Sequence, residues 1–95
     1  MYARVATSSE GTPETIEKMV RIMAEREAAR KAAPGYEGSY LLTNRATGKS
    51  IAVMLWASEA DLKAHTAVAE QGREVARARG VVSTPWEEYE VVFHS

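Results

Sequence analysis

The sequence predicts an α+β domain with the element order βαββαβ. Strand-like segments alternate with two amphipathic helical segments, polar turn residues separate them, and the third strand candidate is a continuous apolar run. This order is the ferredoxin-like plan, a four-stranded antiparallel sheet with two helices on one face. The 95 residues suffice for one domain, which we assign to residues 1–95.

The first strand and the first helix are delimited by turn and capping residues. Residues 2–8 form a short, half-apolar segment that is compatible with a strand. Thr12 is the predicted N-cap, and Pro13 follows at the first helical position, where no intrahelical N–H bond is lost. Pro34-Gly35 is expected to end the helix. The stripe predicted to face the sheet is Ile16, Met19, Val20, Met23 and Ala24.

The middle of the chain is predicted to form a hairpin. Residues 36–43 alternate, which would place Tyr36 and Tyr40 on the same face. Residues 44–48 form the hairpin loop. The run Ile51–Trp56 has no polar alternation, which is typical of a strand covered on both faces.

The second helix follows directly from that strand. Ser58 is its predicted N-cap, and Asp61 stands three residues on as an acidic form of the capping box. Gly72 is expected to kink or break this helix, and Gly80 to close its end. Residues 85–94 are the predicted last strand.

Apolar side chains occupy both predicted faces of the sheet. Ile51, Val53 and Leu55 oppose Met54 and Trp56 along one strand. Helices would cover only one face, and an exposed apolar face usually marks an interface. We therefore expect a homodimer in which two sheets stack face to face into a closed α+β barrel.

Composition excludes several classes of function. The chain has no cysteine, so it forms no disulfide or zinc–thiolate site, and its two histidines are too far apart in sequence to form a metal cluster. A net charge of −1 does not indicate a general attraction to nucleic acid or anionic membrane. We expect no signal peptide, because residues 1–7 lack a hydrophobic stretch, and no apolar run reaches the length of a membrane span. We therefore expect a cytoplasmic protein without a metal.

Two motifs carry a resemblance to a known family. One is Pro34-Gly35-Tyr36-Glu37-Gly38 at a strand entry, and the other runs from Leu55 through Ala60 to Leu62 and His65. With the element order, they make the chain resemble the antibiotic biosynthesis monooxygenase branch of the dimeric α+β barrel superfamily. The resemblance implies a homodimer and, in one group of members, cofactor-free oxygenation of aromatic polyketides or quinols.

The candidate site lies where the apolar strand meets the second helix. Trp56 ends that strand, and His65 lies almost two turns past the N-cap, so both are directed towards one region. We predict His65 and Trp56 as catalytic residues, His65 as the proton acceptor and Trp56 as a donor. Tyr40, Tyr36 and Arg4 are predicted to bind the substrate, a small apolar or aromatic molecule. No cofactor is expected.

Other functions on this scaffold are weighed against the oxygenase. The alternative is a non-catalytic dimeric barrel that binds a small apolar ligand, and a polyketide cyclase is a third option. The haem-degrading branch is disfavoured, because the resemblance implies an asparagine on the first strand and a histidine after the helix tryptophan, and neither is matched. An RNA-recognition motif is disfavoured because basic residues are sparse on the central strands. For His65, a purely structural role is an equal alternative to a functional one.

Overall fold

The computed structural model describes residues 1–9 and 11–95 and confirms the predicted βαββαβ order, with each predicted helix divided into two segments. Within these residues the elements are β1 (Tyr2–Ser8), α1 (Pro13–Glu25), α2 (Glu27–Lys31), β2 (Tyr36–Asn44), β3 (Lys49–Trp56), α3 (Glu59–Ala64), α4 (Thr66–Ala78) and β4 (Glu87–Glu90).

The four strands form one antiparallel sheet in the order β2-β3-β1-β4. The central pair places Arg4 opposite Met54 and Ser8 opposite Ser50. Because side chains alternate along a strand, these four residues point to one face, which is the face that the helices cover. The other face of the sheet carries none of the described helices. It is the helix-free face.

The helix starts are capped as predicted. The Thr12 side chain accepts a hydrogen bond from the Thr15 N–H, and Pro13 is the first residue of α1. Ser58 Oγ accepts from the Asp61 N–H at 3.1 Å and donates to the Asp61 carboxylate at 2.9 Å. The first of these bonds satisfies a backbone donor that has no partner inside the helix, and the second joins the two side chains and orients the Ser58 hydroxyl.

Gly35 joins the start of β2 to the start of α3. Its φ of +79° is in the left-handed region, and a Cβ there would lie 2.2 Å from Asp61 Oδ2. Its carbonyl also accepts a hydrogen bond from the Ala57 N–H at 2.7 Å. Only glycine combines this backbone conformation with so close an approach, so this position fixes the strand entry beside the helix that leads to His65.

The predicted helix break at Gly72 is wrong. Gly72 lies inside α4, and the interruption falls instead at His65, whose backbone (φ −90°, ψ 0°) ends α3 and begins α4. Gly72 has a packing role, because a Cβ at this position would lie 2.8 Å from Arg26 Nε. The missing side chain lets Arg26 lie against α4.

A bulge corrects the predicted phase of β2. Tyr36 pairs with Trp56, but Gly38 pairs with Leu55, so one extra residue is accommodated between them. Tyr36 therefore shares the helix-covered face with Trp56, and Tyr40, opposite Val53, lies on the helix-free face. Strict alternation had placed the two tyrosines together.

The last strand is shorter than the predicted residues 85–94. Glu87–Glu90 pairs with β1 from Val5 to Tyr2, and the Val91 N–H donates to the Met1 carbonyl. Because β1 begins at Tyr2, it has no further strand residues with which β4 could pair beyond Glu90. Val92 and Phe93 are accordingly 86% exposed.

The buried stripe of α1 matches the predicted one only at Ile16 and Met19, and the predicted Val20 and Ala24 are exposed. The core cluster consists of Ile16, Met19, Ile22 and Val81, with Leu41 and Ala76 packed against it. Val20 is 54% exposed, and Met23 is only half-buried. The helix is rotated so that Ile22 takes the inward position, which leaves Met23 at the edge of the helix–sheet interface.

The burial of Ile22 and the partial exposure of Met23 predict different losses of stability when each is changed to alanine. Ile22→Ala removes a buried side chain and should lower the free energy of unfolding by about 2–5 kcal/mol. Met23→Ala should cost less, because its side chain is only partly removed from water. Chemical denaturation of both variants measures this, and equal losses would contradict the helix orientation.

The helix-free face exposes a row of large apolar side chains. Tyr40, Leu42 and Tyr89 are 61%, 51% and 48% exposed. Val53 and Leu55 lie between them on the same face and are only half-buried. A contiguous patch of this kind is typical of an interface.

Val53→Lys should therefore disrupt self-association. In a face-to-face dimer it would bury an unpaired charge, which costs several kcal/mol. An interface of this obligate type should bury upwards of ~2,000 Å². Sedimentation should show a wild-type dimer and a monomeric or unfolded variant, whereas Val20→Lys on the exposed side of α1 should remain dimeric. A wild-type monomer at micromolar concentration would overturn the expectation.

Candidate active site

A cavity of about 140 Å³ lies between the helix-covered face of the sheet and the helices. Its floor is formed by β1 and β3, and its walls by α1, α2, α4 and the segment before β4. An apolar cavity of ~150 Å³ can hold one benzene ring. The enclosed space is therefore comparable in size to one aromatic ring.

Trp56 and His65 form the aromatic end of this cavity. Trp56 is the last residue of β3 and is fully buried, and His65 is 8% exposed at the junction of α3 and α4. Their ring centroids are 4.6 Å apart, with an angle of 38° between the planes. Leu62, also fully buried, anchors α3 on the sheet, and His65 lies three residues later on the same helix face.

Arg4 lies on the cavity floor, 1% exposed. Its Nη2 donates to the Leu62 carbonyl at 3.3 Å, to Thr66 Oγ1 at 2.7 Å and to Glu88 Oε2 at 3.0 Å. Glu88 also accepts from Lys63 Nζ at 2.5 Å, and these hydrogen bonds from Lys63 and Arg4 lower the pKa of its carboxyl group. Glu88 thus stays ionised and holds one end of the guanidinium in place.

Two further arginines reach the cavity from the α1–α2 junction. Arg26 donates from Nη2 to the Val68 carbonyl at 3.1 Å, which places it across α4. Arg30 is 7% exposed, and its Nη2 donates to Glu27 Oε2 at 3.0 Å and to the Met23 carbonyl. Two guanidinium groups on the helical side of the cavity therefore add their charge to that of Arg4 on the sheet.

This environment lowers the pKa of His65. Burial is the largest cause, and the positive charges of Arg4, Arg30 and Arg26 follow in that order. All four effects disfavour the imidazolium form. His65 is therefore neutral at physiological pH and has a ring nitrogen able to accept a proton.

Several buried polar atoms around the cavity lack a hydrogen-bond partner among the described residues. They are Arg4 Nε and Nη1, Ser8 Oγ, Arg30 Nε and Trp56 Nε1. All four residues line the cavity. Buried donors without partners are rare in folded proteins because each costs free energy, and four of these five atoms can only donate. The cavity thus suits a ligand that brings hydrogen-bond acceptors.

The structure brings together three of the five residues predicted for the site. Trp56, His65 and Arg4 line one cavity. Tyr36 packs edge-on against Trp56 at 5.5 Å and 63°, behind the cavity wall. Tyr40 lies on the other face of the sheet, 61% exposed, and does not reach the cavity of its own chain.

Sequence reasoning missed the other arginines and Trp86. The Trp86 ring lies 4.9 Å from the Arg4 guanidinium carbon and 5.8 Å from that of Arg73. A signal for Arg26 and Arg30 was present, because they follow the inward-facing Ile22 at steps of four residues. Charged residues on a predicted buried face indicate a polar site in the core.

Comparison with solved structures identifies the fold. A candidate antibiotic biosynthesis monooxygenase from Deinococcus radiodurans is similar with a TM-score of 0.75 and 14% identity, covering 100% of this chain and 96% of that one. A mutant of SnoaB, a cofactor-independent oxygenase from Streptomyces nogalater, matches with a TM-score of 0.70 and 18% identity, covering 98% and 94%. The haem degrader MhuD from Mycobacterium tuberculosis matches with a TM-score of 0.64 and 20% identity, covering 98% of both chains.

These likenesses show that the chain has the ferredoxin-like fold of antibiotic biosynthesis monooxygenase-like proteins, as its motifs predicted. No protein-family model matches the sequence. No curated protein matches it either.

The described part of the chain contains neither a metal-ligand cluster nor a membrane-spanning helix. Among residues 1–9 and 11–95, no group of three or more metal-ligating side chains comes together. Over the same residues, no helix has both the length and the apolar character to cross a bilayer.

Burial and the three arginines near His65 predict a lowered pKa for its imidazole. NMR should give a His65 pKa below the ordinary value of ~6.5, and Arg26→Gln should raise it by removing a nearby positive charge. Arg21→Gln, an exposed change on α1, should leave it unchanged. The unfolded chain binds this proton more readily, so the His65 contribution to stability should be lost as pH falls below ~6.5. A His65 pKa at or above that value would contradict this arrangement.

Proposed function

We propose that this protein is a cofactor-independent monooxygenase that acts on a small phenol or quinol-like aromatic substrate. One observation carries the proposal: the buried imidazole of His65 packs against the Trp56 ring in a cavity to which Arg4 and Trp56 contribute unpartnered N–H donors. A base and oxyanion donors around an apolar space are what such a reaction requires of a protein.

The reaction begins with proton transfer to His65. The substrate is an aromatic whose phenolate or enolate form places electron density on a ring carbon. His65 accepts the phenol or C–H proton, and the free Nε and Nη1 of Arg4 stabilise the oxyanion that forms. The same field that lowers the pKa of His65 favours the substrate anion, so proton transfer leaves the total charge of the cavity unchanged.

Dioxygen then reacts with the carbanion. The ring carbon transfers electrons to O₂ and forms a carbon–oxygen bond, and the resulting peroxide takes the proton back from the imidazolium. Loss of water from the hydroperoxide gives a carbonyl. For 1-naphthol the balance is one phenol and one O₂ to one 1,4-naphthoquinone and one water. The substrate supplies all the electrons, and the buried walls keep bulk water from the anion.

The fold comparisons support this proposal at the level of chemistry. SnoaB, described as a cofactor-independent oxygenase, shares the fold over nearly the whole chain. MhuD, described as a haem degrader, shares the fold as well. The oxygenase is preferred because the resemblance implies an asparagine on the first strand for haem degradation, and β1 carries none.

Oxygen uptake tests the proposal directly. A panel of phenol and 1-naphthol should yield at least one substrate that consumes one O₂ per molecule and forms its para-quinone and one water. His65→Ala should lower turnover by about 10²–10⁴-fold, and activity of the wild type should fall as His65 becomes protonated at low pH. His94→Ala, which changes an exposed histidine, should leave the rate unchanged.

The same variant separates a catalytic from a structural role of His65. A catalytic His65 predicts lost turnover with a nearly unchanged melting temperature. A structural one predicts destabilisation of about 1–3 kcal/mol. Ligand binding without any O₂ consumption across the panel would favour the non-catalytic barrel and overturn the oxygenase.

A further inference from the structure

The charges around the cavity are unbalanced. Among the described residues, four arginines and no acidic residue line it: Arg4, Arg26, Arg30 and Arg73. Glu88 pairs with Arg4 and Glu27 with Arg30 from outside the lining, whereas the hydrogen bond of Arg26 goes to a neutral carbonyl. Positive charge in excess, close to buried space, favours a ligand that is already anionic when it enters.

Arg30 provides a hydrogen-bonding position for such an anion. It is 7% exposed, and its Nε lacks a partner among the described residues, while Nη2 is held by Glu27 and the Met23 carbonyl. A buried guanidinium fixed on one nitrogen and free on another is a preorganised donor. Arg26 lies near it and adds charge, since Gly72 leaves space for Arg26 against α4.

The remaining wall limits the rest of the ligand. The apolar part of the cavity lining includes Met19, Ile22, Val81 and Ala76, which suits an aromatic ring. The volume of about 140 Å³ restricts the enclosed part to about one ring. An anion bound by an arginine and a ring packed against these apolar side chains describe an aromatic acid.

We propose that the cavity selects an aromatic substrate of one or two rings that carries a carboxylate, and that Arg30 is the specificity-determining residue that binds this carboxylate. This inference deepens the proposed function and rests on it: Arg4 serves the oxyanion that forms during the reaction, and Arg30 serves a charge that the substrate carries throughout. The two arginines then hold the ring between His65 and the apolar wall.

Calorimetry with benzoate and benzamide tests the inference in the absence of oxygen. The two probes have nearly the same shape and differ in charge. Wild-type protein should bind benzoate at least about tenfold more tightly than benzamide, equivalent to ~1.4 kcal/mol. Arg30→Gln should abolish this preference by weakening benzoate alone. Arg21→Gln, a matched change at an exposed arginine, should retain it.

The contrary outcomes are distinct. Equal affinity of the wild type for both probes, no binding of benzoate, or an unchanged preference in Arg30→Gln would each overturn the inference. Displacement of benzoate by equimolar inorganic phosphate would show a general anion site and would also overturn it. The wild-type comparison stands even where Arg30→Gln does not fold.

The outcome for the reaction is separate. Selective benzoate binding without O₂ uptake from any aromatic substrate would support the ligand class and overturn the oxygenase. Quinone formation from 1-naphthol without a preference for benzoate would support the oxygenase and overturn the role of Arg30.

Discussion

The buried guanidinium of Arg4 is the constraint on which the surrounding structure depends. Removing a charge from water costs several kcal/mol unless partners replace the solvent, and Arg4 is 1% exposed on a central strand of the sheet. Its partners come from three other places: the last turn of α3, the first residue of α4 and the edge strand β4. These contacts set the position of the α3–α4 junction over the sheet, and that junction is His65. The hydrogen bonds of Arg4 to Leu62 and Thr66, on either side of His65, therefore fix the position of the histidine.

The helical segments α1–α2 and α3–α4 are each interrupted beside the cavity. Arg26 separates α1 from α2, and His65 separates α3 from α4. A straight helix would carry its side chains past the buried space at a fixed spacing. At each interruption a polar residue with a backbone φ near −90° and ψ near 0° lies beside the cavity instead. The fold thus brings polar groups into its core at points where helical hydrogen bonding is already broken.

Much of this arrangement could be predicted from the sequence, and the reasons for the failures are physical. The caps at Thr12 and Ser58 depend on local interactions, so sequence patterns indicated them. Trp56 and His65 were found because a strand end and two helical turns fix their separation. The face of Tyr40 was wrong because the bulge that precedes it in β2 is not visible in alternation. The helical spacing placed Arg26 and Arg30 on the inward face, but their burial was missed because it depends on partners such as Glu27 and the Val68 carbonyl, which the spacing does not identify.

The position of the cavity has a consequence for an assembly of two chains. The cavity lies between the sheet and the helices, whereas the apolar surface available for pairing lies on the opposite face. Two chains stacked through those faces would hold their cavities on the outer sides, separated by both sheets, which pack ~10 Å apart. Each ligand would contact side chains of one chain alone. With no direct contact between the two ligands, we expect saturation to follow a simple hyperbola with a Hill coefficient of about one.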